Sequence, residues 1–209
     1  MASLKCTTDK YERLYARWLE KPGKLLDLVA YEPGQHLLDL CGGSGAVSHE
    51  ALQRGADPST IALMDLNPRC SDPRIAQFHG DADKDRLFLD KVFDLIVIRQ
   101  AAAYLNWNPG SVLWMWSILQ PGGSLIFNTF SRPKWKAKIY KHGGAWFFEA
   151  SWYLGRTVWH FQGSKGIGWD ITKFRWHSTD FLKESLQDVF DVRVVESKTS
   201  QYWICKPKP

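Results

Sequence analysis

HLLDLCGGSG, the stretch that spans His36–Gly45, has the pattern of a buried strand that runs straight into a glycine turn. Leucines surround Asp39, and three glycines follow within the last four positions of the stretch. The next residues, AVSHEALQ, place apolar side chains at helical spacing and predict a helix over 45–54. A strand, a glycine turn and a helix in this order direct backbone N–H groups at a ligand beyond the carboxyl end of the strand. The stretch therefore predicts a ligand-binding α/β sheet.

The glycine turn alone leaves the class of ligand open. GSGAVS at Gly43–Ser48 matches the G-x-G-x-x-G pattern except for its last glycine, so a nicotinamide or flavin cofactor is one alternative. Acidic residues at predicted strand ends favour another ligand. Asp39 precedes the turn, where it can bind the amino group of a methionine-like ligand, and Asp65 ends the second predicted strand, where it can bind a ribose. Asp81 and Ala82 follow the third predicted strand.

In the order of these motifs, from about Leu37 to Phe127, the chain resembles the class I S-adenosylmethionine-dependent methyltransferases. The first motif of that class is D-x-G-x-G-x-G, and Cys41 stands here at its first glycine. The resemblance implies an α/β fold with a Rossmann-like, mostly parallel sheet, an antiparallel pair of C-terminal strands, and S-adenosylmethionine as the cofactor. The residues that it implies for cofactor binding are Asp39, Cys41, Gly42, Gly43, Gly45, Asp65, Leu66, Asp81, Ala82 and Arg99.

Length and composition favour one folded domain in a reducing compartment. The chain has 209 residues, a formal net charge of +5 and a pI near 9.0, which is mild for a dedicated nucleic-acid binder. Its four cysteines are scattered, so neither a disulfide framework nor a structural metal site is expected. No apolar signal core and no long apolar run is present, so we expect a cytoplasmic protein that does not contact a membrane.

The middle of the chain alternates predicted strands and helices, which is the pattern of a parallel sheet. The predicted strands cover 37–41, 60–65, 75–79, 93–98 and 123–129. The predicted helices cover Lys10–Glu20, Lys24–Tyr31, 45–54, 68–71, 84–89, 109–119 and Ser178–Phe190, the last with Ser178 or Thr179 as its N-cap. We expect a single domain with N-terminal helices in 1–34, a cofactor-binding core in 35–130, an insertion in 131–177, and a C-terminal helix and hairpin in 178–209.

The insertion is rich in aromatic residues and follows the fifth predicted strand. Three segments, GAWFFEASWYLG, GRTVWHFQGS and GWDITKFRWH, predict three antiparallel strands, and the region from Arg132 to His177 holds six of the eleven tryptophans. The resemblance implies that such an insertion builds the acceptor site, with Trp159 and Trp169 as walls. The alternative is that these aromatic side chains form a secondary core or the interface of a homodimer.

Candidate catalytic residues are His160, His177 and Tyr104, each of which could remove a proton from the acceptor. Arg99 and Gln100 follow the fourth predicted strand, and Asn128 lies near the end of the fifth, so the three could orient an acceptor. The alternative for Arg99 is a structural ion pair, and for the histidines a role without chemistry.

The predicted function is transfer of a methyl group from S-adenosylmethionine to oxygen or nitrogen of a small molecule. The basic run KWKAKIYKH at Lys134–His142 keeps an RNA or other phosphate-bearing acceptor as an alternative, although no companion nucleic-acid domain supports it. A nicotinamide-dependent oxidoreductase is a further alternative, but it would leave Asp39 without a purpose and the chain lacks a well-placed Tyr-x-x-x-Lys.

Overall fold

The structure, a computed structural model, describes residues 21–89, 93–130, 138–142, 145–154, 157–164, 168–175, 177–197 and 200–209, with the strands between 138 and 175 described by their backbone alone. The chain divides into two units. The larger comprises Glu20–Ser131 and Ser178–Pro209, and the smaller contains Arg132–His177.

Strands and helices alternate through the larger unit, whereas the smaller unit contains strands alone among its described residues. The strands are β1 (Leu37–Leu40), β2 (Ile61–Asp65), β3 (Ala76–His79), β4 (Phe93–Ile98), β5 (Leu119–Phe130), β6 (Lys138–His142), β7 (Ala145–Leu154), β8 (Thr157–Ser164), β9 (Gly168–Arg175), β10 (Phe190–Glu196) and β11 (Ser200–Pro207). The helices are α1 (Pro22–Leu28), α2 (Ala46–Gln53), α3 (Pro109–Ser117) and α4 (Thr179–Leu186), with short 3₁₀ helices at Pro58–Thr60 and Ala102–Tyr104.

The main sheet has seven strands in the order β10-β11-β5-β4-β1-β2-β3. The five strands from β5 to β3 pair in parallel, and β11 joins β5 and β10 in antiparallel ladders. The predicted fold class is therefore confirmed, including the C-terminal hairpin. β1 is the middle one of the five parallel strands, and the strand order reverses there because β2 and β4 pair with its opposite edges. Open α/β sheets bind ligands beside such a reversal, at the carboxyl ends of the strands.

Helices cover both faces of the main sheet. One face packs against α3 and α4, and the other packs against α1 and α2. Full burial of a valine, leucine or methionine side chain contributes roughly 1.5–3 kcal/mol, and burial of the smaller alanine contributes less. The buried helical side chains are Val112, Met115, Leu182 and Leu186 on the first face, and Leu25, Leu26, Val47 and Ala51 on the second.

The smaller unit is a four-stranded antiparallel sheet in the order β6-β7-β8-β9. Three strands were expected here, and the additional strand, β6, lies in the basic run that ends at His142. The predicted helix at Lys10–Glu20 lies outside the described residues. The domain boundaries proposed from the sequence remain a prediction.

Two predicted helices are wrong. Residues 68–71 and 84–89 form turns and irregular loops. The Gln77 side chain holds both backbone groups of Cys70, donating to its carbonyl oxygen at 2.9 Å and accepting from its N–H at 3.0 Å. At the start of the second segment, carboxylates bind the backbone N–H groups just before it: Asp85 accepts from the Asp81 N–H at 2.7 Å, and Asp81 accepts from the Asp83 N–H at 3.0 Å. Such local bonds compete with helix formation.

Candidate cofactor and acceptor site

The glycine turn between β1 and α2 passes through left-handed backbone conformations at Cys41 (φ +59°), Gly43 (φ +54°) and Gly45 (φ +78°). Glycine adopts this conformation freely, whereas Cys41 carries a side chain there at a cost of about 1–2 kcal/mol. The Cys41 N–H donates to the carbonyl oxygen of Met64 at 2.7 Å, which ties the turn to β2. Gly45 is the N-cap of α2 and supplies no side-chain cap, so a ligand can take that place.

Asp39, whose side chain lies beneath the turn, is fully buried. Its Oδ2 accepts hydrogen bonds from Ser48, from the backbone N–H at 3.1 Å and from the hydroxyl at 2.8 Å. Its Oδ1 has no donor among the described residues. Burial raises the pKa of Asp39, while the bonds from Ser48 and the charge of Arg99 oppose this rise. The carboxyl group thus both braces α2 and offers one buried oxygen to a ligand.

Two glycines of the turn are required by close packing. A Cβ on Gly42 would lie 2.6 Å from Cγ of Asp39, so any side chain there would displace the carboxyl group. A Cβ on Gly45 would lie 2.7 Å from Sγ of Cys70. In contrast, a Cβ on Gly43 would meet no described atom within 4 Å. Gly43 therefore faces open space of the kind that a ligand close to the backbone needs.

Asp65 ends β2 next to the turn, as the sequence predicts for a ribose-binding residue. Its Oδ2 accepts from the Gly43 N–H at 3.1 Å, and its Oδ1 accepts from the Asn67 N–H at 2.8 Å. These bonds fix the orientation of the carboxylate and leave further lone pairs for hydroxyl donors. Leu66 follows with 57% of its surface exposed, which suits an apolar contact with a flat ring.

Asp81 and Ala82 follow β3, the strand beside β2. The Asp81 carboxylate pairs with Nζ of Lys84 at 2.8 Å. This contact is the main reason why the pKa of Asp81 lies below its usual range, and the hydrogen bond from the Asp83 N–H lowers the pKa further. Ala82 is buried. The ends of β1, β2 and β3 thus bring Asp39, Asp65 and Asp81 to one edge of the sheet.

The aspartates at the strand ends lower the reactivity of the Cys41 thiol. Removal from water raises the pKa of Cys41, and the negative charges of Asp65, Asp83, Asp39 and Asp81 raise it further. The thiol therefore stays protonated at neutral pH and is a poor nucleophile.

Arg99, Gln100 and Asn128 come together at the ends of β4 and β5. Arg99 is half-buried, and its positive charge acts on Asp39. Gln100 has a left-handed backbone (φ +59°), and its N–H donates to Oδ1 of Asn128 at 2.8 Å. Asn128 is 1% exposed, and its Nδ2 has no acceptor among the described residues. The predicted acceptor-orienting residues thus include a buried donor that a ligand oxygen could satisfy.

The predicted catalytic residues lie in different parts of the chain. Tyr104 ends the 3₁₀ helix after β4 and is 50% exposed. His160 and Trp159 lie on β8 and Trp169 lies on β9, but their side chains are outside the described residues. His177 belongs to the smaller unit. The roles of all five residues remain predictions.

Ser48 and Asp83 are structural partners of the site that the sequence did not indicate. Ser48 stands where a dinucleotide-binding fingerprint has its last glycine, and that departure from the pattern is the only signal that could have revealed it. Asp83 accepts hydrogen bonds from Asn106, and a separation of 23 positions gives no local pattern for such a pair. No three His, Cys, Asp or Glu side chains within the described ranges are grouped so that they could hold a metal ion.

A family model described as a methyltransferase domain matches residues 8–188 of this chain. A demethylmenaquinone methyltransferase of Beutenbergia cavernae is 28% identical over 113 residues, which are 53% of this chain and 47% of that protein. The ubiquinone/menaquinone biosynthesis C-methyltransferase UbiE of Pseudoalteromonas translucida is 29% identical over 112 residues, covering 48% of this chain and 45% of that protein. The chain thus spans about half the length of the curated relatives it matches.

Solved structures share the fold over nearly the whole chain. DesVI of Streptomyces venezuelae aligns with a TM-score of 0.69 at 17% identity and covers 98% of this chain and 99% of its own. CalS10 of Micromonospora echinaspora, an amino pentose methyltransferase solved with S-adenosylmethionine bound, aligns with a TM-score of 0.68 at 17% identity and the same coverage of both chains. Within the described residues, no helix is long and apolar enough to cross a membrane.

The glycine turn, the acidic residues at three neighbouring strand ends and the strand order therefore agree with the family match. The chain belongs to the methyltransferase domain family, and it shares the fold of S-adenosylmethionine-dependent methyltransferases.

Proposed function

We propose that this methyltransferase transfers the methyl group to an oxygen or nitrogen atom of a small-molecule acceptor. The observation that carries the proposal is the buried Nδ2 donor of Asn128, which has no acceptor among the described residues. A buried donor without a partner costs about 1–3 kcal/mol. A polar acceptor that places a hydroxyl or carbonyl oxygen at Nδ2 would remove this cost and would be held at the carboxyl end of the parallel strands.

Within this proposal, residues at three strand ends bind different parts of the cofactor. Asp39 Oδ1 would accept from the amino group, Asp65 would bind the ribose hydroxyls, and Asp81 with Ala82 and Leu66 would bind the adenine. Gly43 would let the cofactor approach the backbone. When bound, the cofactor supplies an already activated sulfonium methyl group. The chain then has to align the acceptor, exclude water and, where the acceptor carries a proton, remove it.

Tyr104, His160 and His177 remain the proposed proton acceptors, and Trp159 and Trp169 remain the proposed walls of the acceptor site. Arg99 is proposed to bind either the carboxylate of the cofactor or an anionic group of the acceptor, because its charge already acts at Asp39. A cytoplasmic location and a homodimer also remain predictions from the sequence.

The names of two proteins that share the fold support a polar acceptor. CalS10 is an amino pentose methyltransferase, and MtfA, which aligns with a TM-score of 0.62 over 91% of this chain, is a glycopeptide N-methyltransferase. Both identities are below 20%, so these names indicate a class of acceptor and no particular compound.

Carbon methylation of a quinone precursor is the second candidate. It is favoured by those curated relatives that are named ubiquinone/menaquinone biosynthesis C-methyltransferases. Because those matches cover about half of each protein, they leave about half of this chain without a counterpart.

Incubation of the enzyme with S-adenosylmethionine carrying an isotopically labelled methyl group tests the proposal. The acceptors would be a panel of amino sugars, phenols, demethylmenaquinone and RNA, and NMR of the products would identify the atom that bears the label. Label on oxygen or nitrogen of a small molecule supports the proposal. Label on carbon favours the quinone-type reaction, and label confined to RNA favours the alternative raised by the basic run.

Asn128→Ala tests the observation on which the proposal depends. We expect a higher KM for the acceptor, with the affinity for S-adenosylhomocysteine unchanged, because the substitution removes the donor without touching the glycine turn. An unchanged KM would refute the role of Asn128, and equal losses of both affinities would indicate a structural role instead.

A further inference from the structure

We propose that Asp83 is a positioning residue that couples the two loops beside the site, so that cofactor binding at one loop also fixes the other. The β3 loop is defined as residues 80–89, and the β4 loop as residues 99–108. The inference rests on the proposed place of the adenine beside Asp81 and Ala82, and it does not depend on which acceptor is methylated.

The link between the loops is a set of hydrogen bonds from Asn106 to the carboxylate of Asp83. The backbone N–H of Asn106 lies 3.0 Å from Oδ1 and 3.1 Å from Oδ2, and its side-chain Nδ2 donates to Oδ2 at 2.7 Å. Hydrogen bonds to a charged acceptor are about twice as strong as neutral ones. Asp83 thus fixes both the backbone and the side chain of Asn106.

The β3 loop holds Asp83 in place through its own contacts. The guanidinium of Arg86 donates to the backbone oxygens of Ala82 and Asp83 at 3.4 Å, and it lies 5.4 Å from the ring centre of Trp114 on α3. The hydroxyl of Ser111, in the first turn of α3, lies 3.4 Å from Oδ1 of Asp83. An anion at this end of a helix is also favoured by the helix dipole.

The β4 loop is closed on itself, so restraint at Asn106 extends to the residues before it. Trp107, the next residue, has a left-handed backbone (φ +53°) and is 2% exposed. Its indole N–H donates to the carbonyl oxygen of Ala102 at 2.9 Å, and its ring lies 4.5 Å from that of Phe127 in the core. The 3₁₀ helix with Tyr104 is therefore enclosed between Trp107 and the end of β4.

Asp83 lies between the proposed cofactor site and the loop that carries the proposed acceptor residues. It is the residue after Ala82, at the proposed adenine site, whereas the loop that it binds carries Arg99, Gln100 and Tyr104, the proposed acceptor residues. A cofactor that orders the β3 loop would therefore strengthen the hydrogen bonds from Asn106 to Asp83. Since coupling between two sites is reciprocal, an ordered β4 loop would raise cofactor affinity by the same factor.

Hydrogen exchange of the full chain, followed by mass spectrometry with and without S-adenosylhomocysteine, tests the coupling. In the wild type, we expect the ligand to slow exchange in both loops, with the β4 loop followed at residues 102–108 because Arg99 is itself proposed to bind the cofactor. In Asp83→Asn, an amide N–H₂ replaces one oxygen facing the donors of Asn106, so protection of the β4 loop by the ligand should be lost while that of the β3 loop remains. Affinity for the ligand should fall by about fivefold or more, which is the lower end of usual coupling factors.

Asp191→Asn is the matched control, because it removes the same charge from an exposed position on β10. It should leave the effects of the ligand on both loops unchanged. If Asp83→Asn loses protection throughout the chain, the substitution has disturbed the fold and Asn106→Ala replaces it as the test variant. Asn106→Ala removes only the side-chain hydrogen bond to Asp83, and the ligand should then protect the β3 loop but protect the β4 loop less than in the wild type.

Equal ligand-induced protection of the β4 loop in wild type and Asp83→Asn would overturn the inference. So would protection of the β3 loop alone in the wild type, although the proposed adenine site would then stand. Protection of neither loop would refute the adenine site as well.

Discussion

Replacement of Gly43 by alanine separates the backbone strain of the turn from its contact with the cofactor. A Cβ at Gly43 meets no described atom within 4 Å, so the cost in stability comes from its left-handed backbone, φ +54°. An L-residue there costs about 1–2 kcal/mol. For a chain of this size we expect the melting temperature to fall by about 2–8 °C, since 1 kcal/mol corresponds to about 2–4 °C.

Gly122→Ala provides a matched control for the same strain. Gly122 also has a left-handed backbone, φ +82°, and open space around its Cβ position, but it lies near the start of β5, away from the carboxyl ends of the parallel strands. Both variants should lose similar stability. Only Gly43→Ala should also lose affinity for S-adenosylhomocysteine, by about tenfold or more. Its side chain would keep the ligand away from the backbone, and a loss of about 1.4 kcal/mol in binding free energy raises the Kd tenfold.

Scanning calorimetry and titration calorimetry with S-adenosylhomocysteine measure the two effects. At a ligand concentration 100 times its Kd, the wild type and Gly122→Ala should gain about 2.7 kcal/mol, whereas Gly43→Ala should gain clearly less at that concentration. The reasoning is refuted if Gly43→Ala binds the ligand as tightly as Gly122→Ala, because the open space at Gly43 would then not be where the cofactor lies.

Three more predictions concern the same turn. Gly42→Ala should destabilise the fold by about 1–3 kcal/mol in urea denaturation, because its Cβ would overlap the Asp39 carboxyl group; stability close to that of the wild type would contradict the packing. Burial raises the pKa of Asp39 above 3.8, so the native state keeps a proton that the unfolded chain loses, and the unfolding free energy should fall as pH rises above 3.8 through the raised pKa. Asp39→Asn should remove this decline in urea titrations at increasing pH above 3.8, and identical pH profiles of the two proteins would exclude it. Cys41→Gly should raise the melting temperature or leave it unchanged, because relief of the left-handed strain offsets the greater entropy of the unfolded chain; a clear decrease would show that the Cys41 side chain stabilises the turn.

The main sheet could be predicted because its central strands are largely apolar, each interrupted by a single aspartate, and end in recognisable turns. LLDL and FDLIVI form β1 and β4, and the glycines after Asp39 form the predicted turn into α2. The N-cap of α4 was equally readable, since Ser178 accepts from the Phe181 N–H at 3.1 Å. In each case the determining contacts lie within a few residues along the chain.

Features fixed by distant contacts could not be predicted. The loop around Cys70 is held by the side chain of Gln77, which no helical pattern reveals. Asp83 binds Asn106, which lies 23 positions further along the chain. The partners of buried polar groups depend on which strand ends meet, so Ser48 became visible as the partner of Asp39 only with the fold.

The position of β11 inside the sheet sets the order in which a growing chain can complete its fold. The edge of β5 pairs with β11, and the partner of Phe130 is Ser200, 70 positions later. At translation rates of roughly 5–20 residues per second, the backbone edge of β5 stays unpaired for about 4–14 s after its synthesis, until β11 has been made. During that interval the unpaired edge can associate with other strands. We expect nascent chains to depend on chaperones most strongly between the synthesis of β5 and that of β11.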